Sequence, residues 1–209
     1  MAGASSINGY TLEQLIRSLI FVQAIVLSKP RITEEIGSDI KSGKIGVFLL
    51  NPISYIGFKF FEHMPRFLYN LCISLVLFVV GYLFIGSIHT SLATLGGFAL
   101  LVMMISFFGY MMVGLLGSYT EDTDSFRLVY SKLDLLFGGN ILPIFMPIRL
   151  QMLTFWSPFT YAGYTAGLLF VQFDIHKFTQ YLGMQRLWIV ILIICVLIYT
   201  HGKKKVTIN

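Results

Sequence analysis

FLYNLCISLVLFVVGYLFIGSIHTSLATLGGFALLVMMISFFGYMMVGLLGSYT, residues 67–120, holds no Asp, Glu, Lys or Arg. A helix crosses the hydrocarbon of a bilayer in about 20 apolar residues, so this run is too long for one crossing and fits two. The polar break GSIHTS, Gly86–Ser91, divides it into spans at 66–86 and 92–117. Glycine recurs in both halves, which suits close helix packing in lipid.

Composition points the same way. Of 209 residues, 56% are hydrophobic and 12% charged, and the mean hydropathy is +0.78. Soluble domains carry roughly a quarter charged residues, so this chain has too few to cover a water-facing surface. A free globular protein is excluded, as are disorder, coiled coil and collagen. The net charge of +5 comes from basic residues beside apolar runs, which suits loops at an anionic membrane surface rather than nucleic-acid binding. Cys72 and Cys195 lie inside apolar runs, so no disulfide framework is implied. The amino terminus MAGASSINGY lacks the basic n-region of a cleaved signal.

Further spans flank the central pair. One covers 10–28 and carries Glu13 and Arg17, four apart on one face, close to its first turn. They fit either an interfacial position or an internal polar pair with a transport role. The last span, 184–201, has WIVILIICVLIY at its centre, Arg186 placed to snorkel, and HGKKK as its stop signal. Between Arg127 and Phe173 the apolar pattern is broken by Gly138, Gly139, Pro143, Pro147 and Pro158. Two full spans fit, and so does one span at 127–142 followed by a re-entrant helical hairpin at 143–172. Broken backbone at membrane depth requires shielding by protein or water.

Charge favours the second arrangement. Lys29, Arg31, Lys41, Lys44, Lys59 and Arg66 make the segment 29–66 cytoplasmic, and Gly86–Ser91, with no Lys or Arg, faces out. One crossing after Arg127 returns the tail at 202–209, with Lys203–Lys205, to the cytoplasm. Arg149, Lys177 and Arg186 then lie outside, against the trend. The expected fold is an all-α polytopic bundle of about five spans in a single domain. It has an extracellular re-entrant hairpin and a cytoplasmic amphipathic helix within 29–62. The amino terminus falls outside, so a preceding helix is expected to be missing.

That cytoplasmic helix lies in RITEEIGSDIKSGKIGVFLLNPIS. Ile32, Ile36 and Ile40 recur at helical spacing, with Glu34, Glu35, Asp39, Lys41 and Lys44 facing water. Gly43 breaks the helix, and Asn51–Pro52 closes the segment. By its pattern it is either a lipid-surface helix or a docking surface for a soluble partner.

No enzyme constellation is present. His63, His89, His176 and His201 are scattered singly, and EHMPR at 62–66 lacks the second histidine of a zinc-protease helix, so no metal centre is expected. There is no P-loop motif, so this chain is not expected to bind ATP. Glu121, Asp122 and Asp124 read as a solvated cytoplasmic loop. Lys132 and Asp134 sit in an apolar helix, where charges are costly and often functional. They are candidates for a transport path. Asp134 is placed to pair with Lys132 or to face a partner subunit.

The segment with Glu35–Ile36, Asp39–Ile40, Gly43 and Leu49–Leu50–Asn51–Pro52 resembles the corresponding stretch of ABC-2 type permeases, the membrane subunits of ATP-binding-cassette exporters. LDLLFGGNILPIFMPIRLQMLTFWSPFTYAGYTAG, residues 133–167, is similar to that family's extracellular re-entrant region. Gly138, Pro143, Met146, Pro147, Pro158 and Phe159 fall on the pattern. A last span followed by a short basic, strand-like tail also resembles the family, and the likeness runs from Tyr10 to Asn209. The family's first helix has no counterpart, and Gly163 and Ala166 stand where many members place a proline.

The resemblance implies a multi-pass protein of the cell inner (plasma) membrane that forms the path for an exported substrate. It implies a separately encoded ATPase partner, which binds the ATP, and a second permease subunit, identical or not. Glu34, Glu35, Asp39, Lys41, Gly43 and Lys44 would then couple to the ATPase. An ATPase-independent transporter or channel component is the alternative, and an intramembrane enzyme would need clustered polar groups that the sequence hardly offers.

Overall fold

A computed structural model describes residues 16, 18–19, 22–23, 25–27, 29, 32–50, 54–85, 92–120, 123–138, 154–171 and 174–208, and these are helical apart from caps and turns. The helices are α1 Ile32–Lys41, α2 Lys44–Leu50, α3 Tyr55–Ile85, α4 Leu92–Thr120, α5 Thr123–Phe137, α6 Pro158–Tyr161, α7 Tyr164–Val171 and α8 Ile175–Ile208. Before them, the described residues of 16–27 are helical too. Glu13, Arg17, Asn51, Pro52, the loop Gly86–Ser91, Glu121, Asp122, Gly139, Pro143, Met146, Pro147 and Arg149 lie outside the described residues.

α4 is the centre, packing most extensively against α8, α1 and α5. Among the described residues, two helices are long and apolar enough to cross a membrane, Gly97–Gly117 of α4 and Ile175–Thr200 of α8. They differ in surroundings. The α4 stretch is 67% buried, whereas the α8 stretch is 22% buried and exposes Leu187, Val190, Ile194 and Ile198. An exposed apolar stripe of that length on a helix has its natural cover in lipid or another apolar surface.

Direction follows from paired contacts. Phe98 and Phe178 meet near the starts of α4 and α8, at 6.2 Å between ring centroids. Near their ends, Tyr199 Oη donates to the Leu115 carbonyl at 2.6 Å. α4 and α8 therefore run parallel. α5 runs back along α4: Thr123 packs at Gly117, and Tyr130 stacks edge-on with Tyr110 at 4.9 Å. α3 is also antiparallel to α4, with Phe60 against Phe107 and Phe67 beside Ala99 and Val102. The starts of α3 and α5, the ends of α4 and α8, and all of α1 thus meet at one end of the bundle.

Boundaries shift where tertiary contacts extend a helix. α3 begins at Tyr55, eleven residues before the expected span, because 55–66 has its own buried face. Pro65 lies within it, exposed. α5 covers 123–137 rather than 127–142, and Gly138 ends it with its N–H on the Asp134 carbonyl at 2.7 Å. The last helix starts at Ile175 and continues to Ile208, so the tail expected to be strand-like is helical. Lysine is a good helix former, and the tail carries no glycine or proline after Gly202 to stop it.

Candidate functional site

α1 seats itself by its isoleucines. Ile32 and Ile36 are fully buried against α4, and Gly114 of α4 makes room, since a Cβ there would lie 2.8 Å from Ile36 Cβ. Thr33 Oγ1 donates to the Tyr110 carbonyl at 3.1 Å. Gly43, at φ +72°, ends the turn after α1 in the left-handed region, which glycine enters at no steric cost.

The side of α1 next to α3 is polar. On α3, Tyr55, Lys59, Glu62, His63 and Arg66 follow one another at helical spacing and so share a face. Lys59 is only 2% exposed, and its Nζ lies 3.0 Å from Asp39, 2.9 Å from Glu62 and 3.5 Å from Glu35. Tyr55 Oη donates to Asp39 Oδ2 at 3.0 Å, Lys44 approaches Asp39 at 3.4 Å, and His63 Nε2 lies 2.9 Å from Glu35 Oε2. Arg66 adds a looser contact to Glu35 at 3.9 Å.

The network fixes its own charges. Burial pushes the Asp39 carboxyl up, but hydrogen bonds from Lys59 and Tyr55 and the charges of Lys59 and Lys44 outweigh it and hold the pKa below 3.8. Burial pushes Lys59 down, and its bonds to Glu62 and Asp39 reverse that, holding it above 10.5. The Tyr55 hydroxyl is raised by burial first and by Asp39 second, so it remains a donor.

This corrects the water-facing expectation for α1. Asp39 is buried at 7% exposure and Glu35 is half-buried; both serve to hold α1 on α3. Glu34, Lys41 and Lys44 do face solvent. Glu34 pairs with Arg127 of α5, which also meets Asp124 at 3.3 Å. These groups border an open polar groove of about 710 Å³ between α1 and α5, lined by Glu34, Ser38, Lys41, Thr123, Asp124 and Arg127 among others.

The other candidate pair is also rearranged. Asp134 does not meet Lys132, which is exposed. It receives hydrogen bonds from Lys29 Nζ at 2.7 and 2.8 Å and from Tyr110 Oη at 3.1 Å. The lysine and aspartate side chains are 7% and 9% exposed. The void beside Lys29, bounded by Phe67, Leu71, Ala99 and Met103, is about 10 Å³, too small for a conducted solute. In the re-entrant region, Ser157 caps α6 by accepting from the Phe159 N–H at 3.3 Å, with Pro158 in the first turn. Phe159 packs on Tyr130 at 4.9 Å. α6 and α7 are separate short helices joined by the turn at Ala162–Gly163.

The Tyr55–Arg66 face was missed in the sequence, where Lys59 and Arg66 entered only as charges for orientation. Its signal is the spacing of polar residues in YIGFKFFEHMPR. Folding also gathers Glu35, Glu62 and His63, whose ligand atoms lie within 4.8 Å of one another. The Lys59 ammonium already sits between the two carboxylates, so a metal ion would have to displace a buried, paired cation. No known protein family, curated protein or solved structure matches this chain.

Proposed function

We propose that the chain is the permease subunit of an ABC-2 type exporter, a five-span inner-membrane protein whose α1 receives motion from a separate ATPase. The observation that carries this reading is the division of charge on α1. Glu35 and Asp39 are bound to α3, while Glu34 and Lys41 border an open groove with Asp124 and Arg127. A helix clamped on one side and charged on the other suits a lever that a soluble partner grips. Charged groups on such a face set orientation and rate more than raw affinity. The parallel course of α4 and α8 supports a single net crossing between them, with 143–172 re-entrant. The charged end is then cytoplasmic, in keeping with Lys203–Lys205. A second permease subunit completes the path.

The test is co-purification of the full chain from its host, with identification of any bound protein carrying a P-loop. The wild type is expected to retain such an ATPase. A variant reversing the groove charges, Glu34→Lys with Arg127→Glu and Lys41→Glu, is expected to lose it while still inserting in the membrane. If no P-loop protein accompanies the wild type, the ATPase-independent transporter takes precedence. Unchanged recovery with the variant would reduce α1 to a lipid-surface element.

A further inference from the structure

Two distant parts of the molecule meet at Asp134. Its carboxylate accepts from Lys29 Nζ and Tyr110 Oη. Lys29 stands three residues before Ile32, the first residue of α1. On its other side the carboxylate lies against the turn that ends α5: a Cβ on Gly138 would be 2.8 Å from Asp134 Oδ1. That turn touches the short helices in its turn, since a Cβ on Gly163 would strike the Gly138 carbonyl. Gly163 opens α7, its carbonyl accepting from the Ala166 N–H at 3.0 Å and the Gly167 N–H at 3.3 Å. Neither glycine has room for even a methyl group.

We propose that the Lys29–Asp134 ion pair is the joint through which a displacement of α1 reaches the α6–α7 turn. The proposal rests on the reading of α1 as the element an ATPase moves. Lys29 and Asp134 are positioning residues here: they touch no substrate and transmit position. A buried ion pair suits this role. The Lys29 ammonium lies within 2.8 Å of both carboxylate oxygens, and with side chains 7% and 9% exposed neither partner can separate without leaving a buried charge unpaired. The packed glycine contacts then pass a shift onward, because close-packed interiors transmit strain.

A competing route avoids Asp134. Ser18 and Val22 pack on Gly167 of α7, so movement could pass from Lys29 along the amino-terminal helical stretch. The two routes separate in a cycle read by hydrogen exchange of the purified full chain, following peptides that cover 158–171. The perturbation is Glu35→Gln, which loosens α1 on the side facing α3 and touches neither Lys29 nor Asp134. In the wild type it is expected to speed exchange at Ala166 and Gly167 about fivefold or more, the lower end of ordinary site-to-site couplings. With the joint cut by Lys29→Met and Asp134→Asn, the same perturbation is expected to leave those amides unchanged. Asn keeps the acceptor for Tyr110 in that variant.

Lys29→Arg keeps both bonds and should restore the response, which a merely structural role would not predict. Tyr110→Phe removes the third hydrogen bond to Asp134 and leaves the ion pair, and should give a reduced response, which covers the case of a double variant that does not fold. Equal acceleration with the joint cut would assign the amino-terminal route and overturn the proposal. So would the absence of any acceleration in the wild-type background. Neither outcome depends on an ATPase, so failure of the joint and failure of the permease reading are separate results.

Discussion

Replacing Lys59 by methionine tests whether α1 is held by its ion network. The volume change is small, and the loss is electrostatic. Lys59 is 2% exposed and lies within 3.5 Å of three carboxylates, but these would suffer unequally. The Glu35 and Glu62 side chains are 38% and 42% exposed and can take up water. The Asp39 side chain is 10% exposed and would keep only Tyr55 and the half-exposed Lys44. Removing one partner of a buried pair costs about 3–5 kcal/mol; with two carboxylates rescued by solvent, the lower end applies, about 3 kcal/mol. For a domain of this size that is a fall of about 6–12 °C in the thermal midpoint.

Lys59→Met combined with Asp39→Leu removes both buried charges and is expected to cost about 1 kcal/mol or less. The measurement is thermal unfolding in detergent across pH. Asp39 has a lowered pKa, so its contribution is complete above 3.8 and is lost as pH falls through the folded value. Lys59 has a raised pKa, so its contribution is complete below 10.5 and is lost as pH rises through the folded value. Without Lys59, burial raises the Asp39 carboxyl, so the variant takes up this proton first, and the gap should be widest near neutral pH and shrink progressively as pH falls through the acid range. A loss under about 1 kcal/mol at pH 7, or a gap that persists unchanged at pH 3, would refute the clamp.

Two further expectations concern packing and orientation. Gly114→Ala forces α1 outward at Ile36 and should cost about 1–3 kcal/mol by overpacking. Gly97→Ala in the same helix meets open space and should gain up to about 1 kcal/mol from helix propensity; equal effects on the thermal midpoint would count against the close approach of α1 and α4. In a background lacking Cys72 and Cys195, single cysteines at Lys41 and Lys203 should label from one face of sealed vesicles, and a cysteine at Thr90 from the other. Labelling of position 203 from the side of Thr90 would remove the single-crossing topology.

The parts of the fold visible in the sequence are those that depend on local pattern. An uncharged run broken at Gly86–Ser91 reads as two helices, because each part is as long as one helical crossing and far longer than a strand. The 32–36–40 isoleucine spacing fixes the buried side of α1 for the same local reason. What the pattern could not supply is which charges meet. Asp134 lies two residues from Lys132, and neighbours two apart on a helix point to different sides; its partner Lys29 is 105 residues away. The sequence offers Asp39 no partner because 55–66 precedes the expected span and is placed by its charges only as cytoplasmic, whereas it forms the first turns of α3.

The burial of Asp39 bears directly on how α1 is to be probed. Reversing Glu35 and Asp39, the natural choice when both are taken for docking residues, would place two cations beside Lys59, Lys44 and Arg66. The helix would leave α3 before any partner was met, and loss of binding would report only unfolding. Glu34 and Arg127 carry no such burden: their side chains are 57% and 38% exposed, and an exposed pair contributes about 0–1 kcal/mol to stability. Under the permease proposal, holding and docking would use different residues of one ten-residue helix, separated by its own rotation of about 100° per residue. Changes on the groove side should leave the thermal midpoint within about 4 °C while altering partner recovery, and changes on the α3 side should do the reverse in order, lowering stability first.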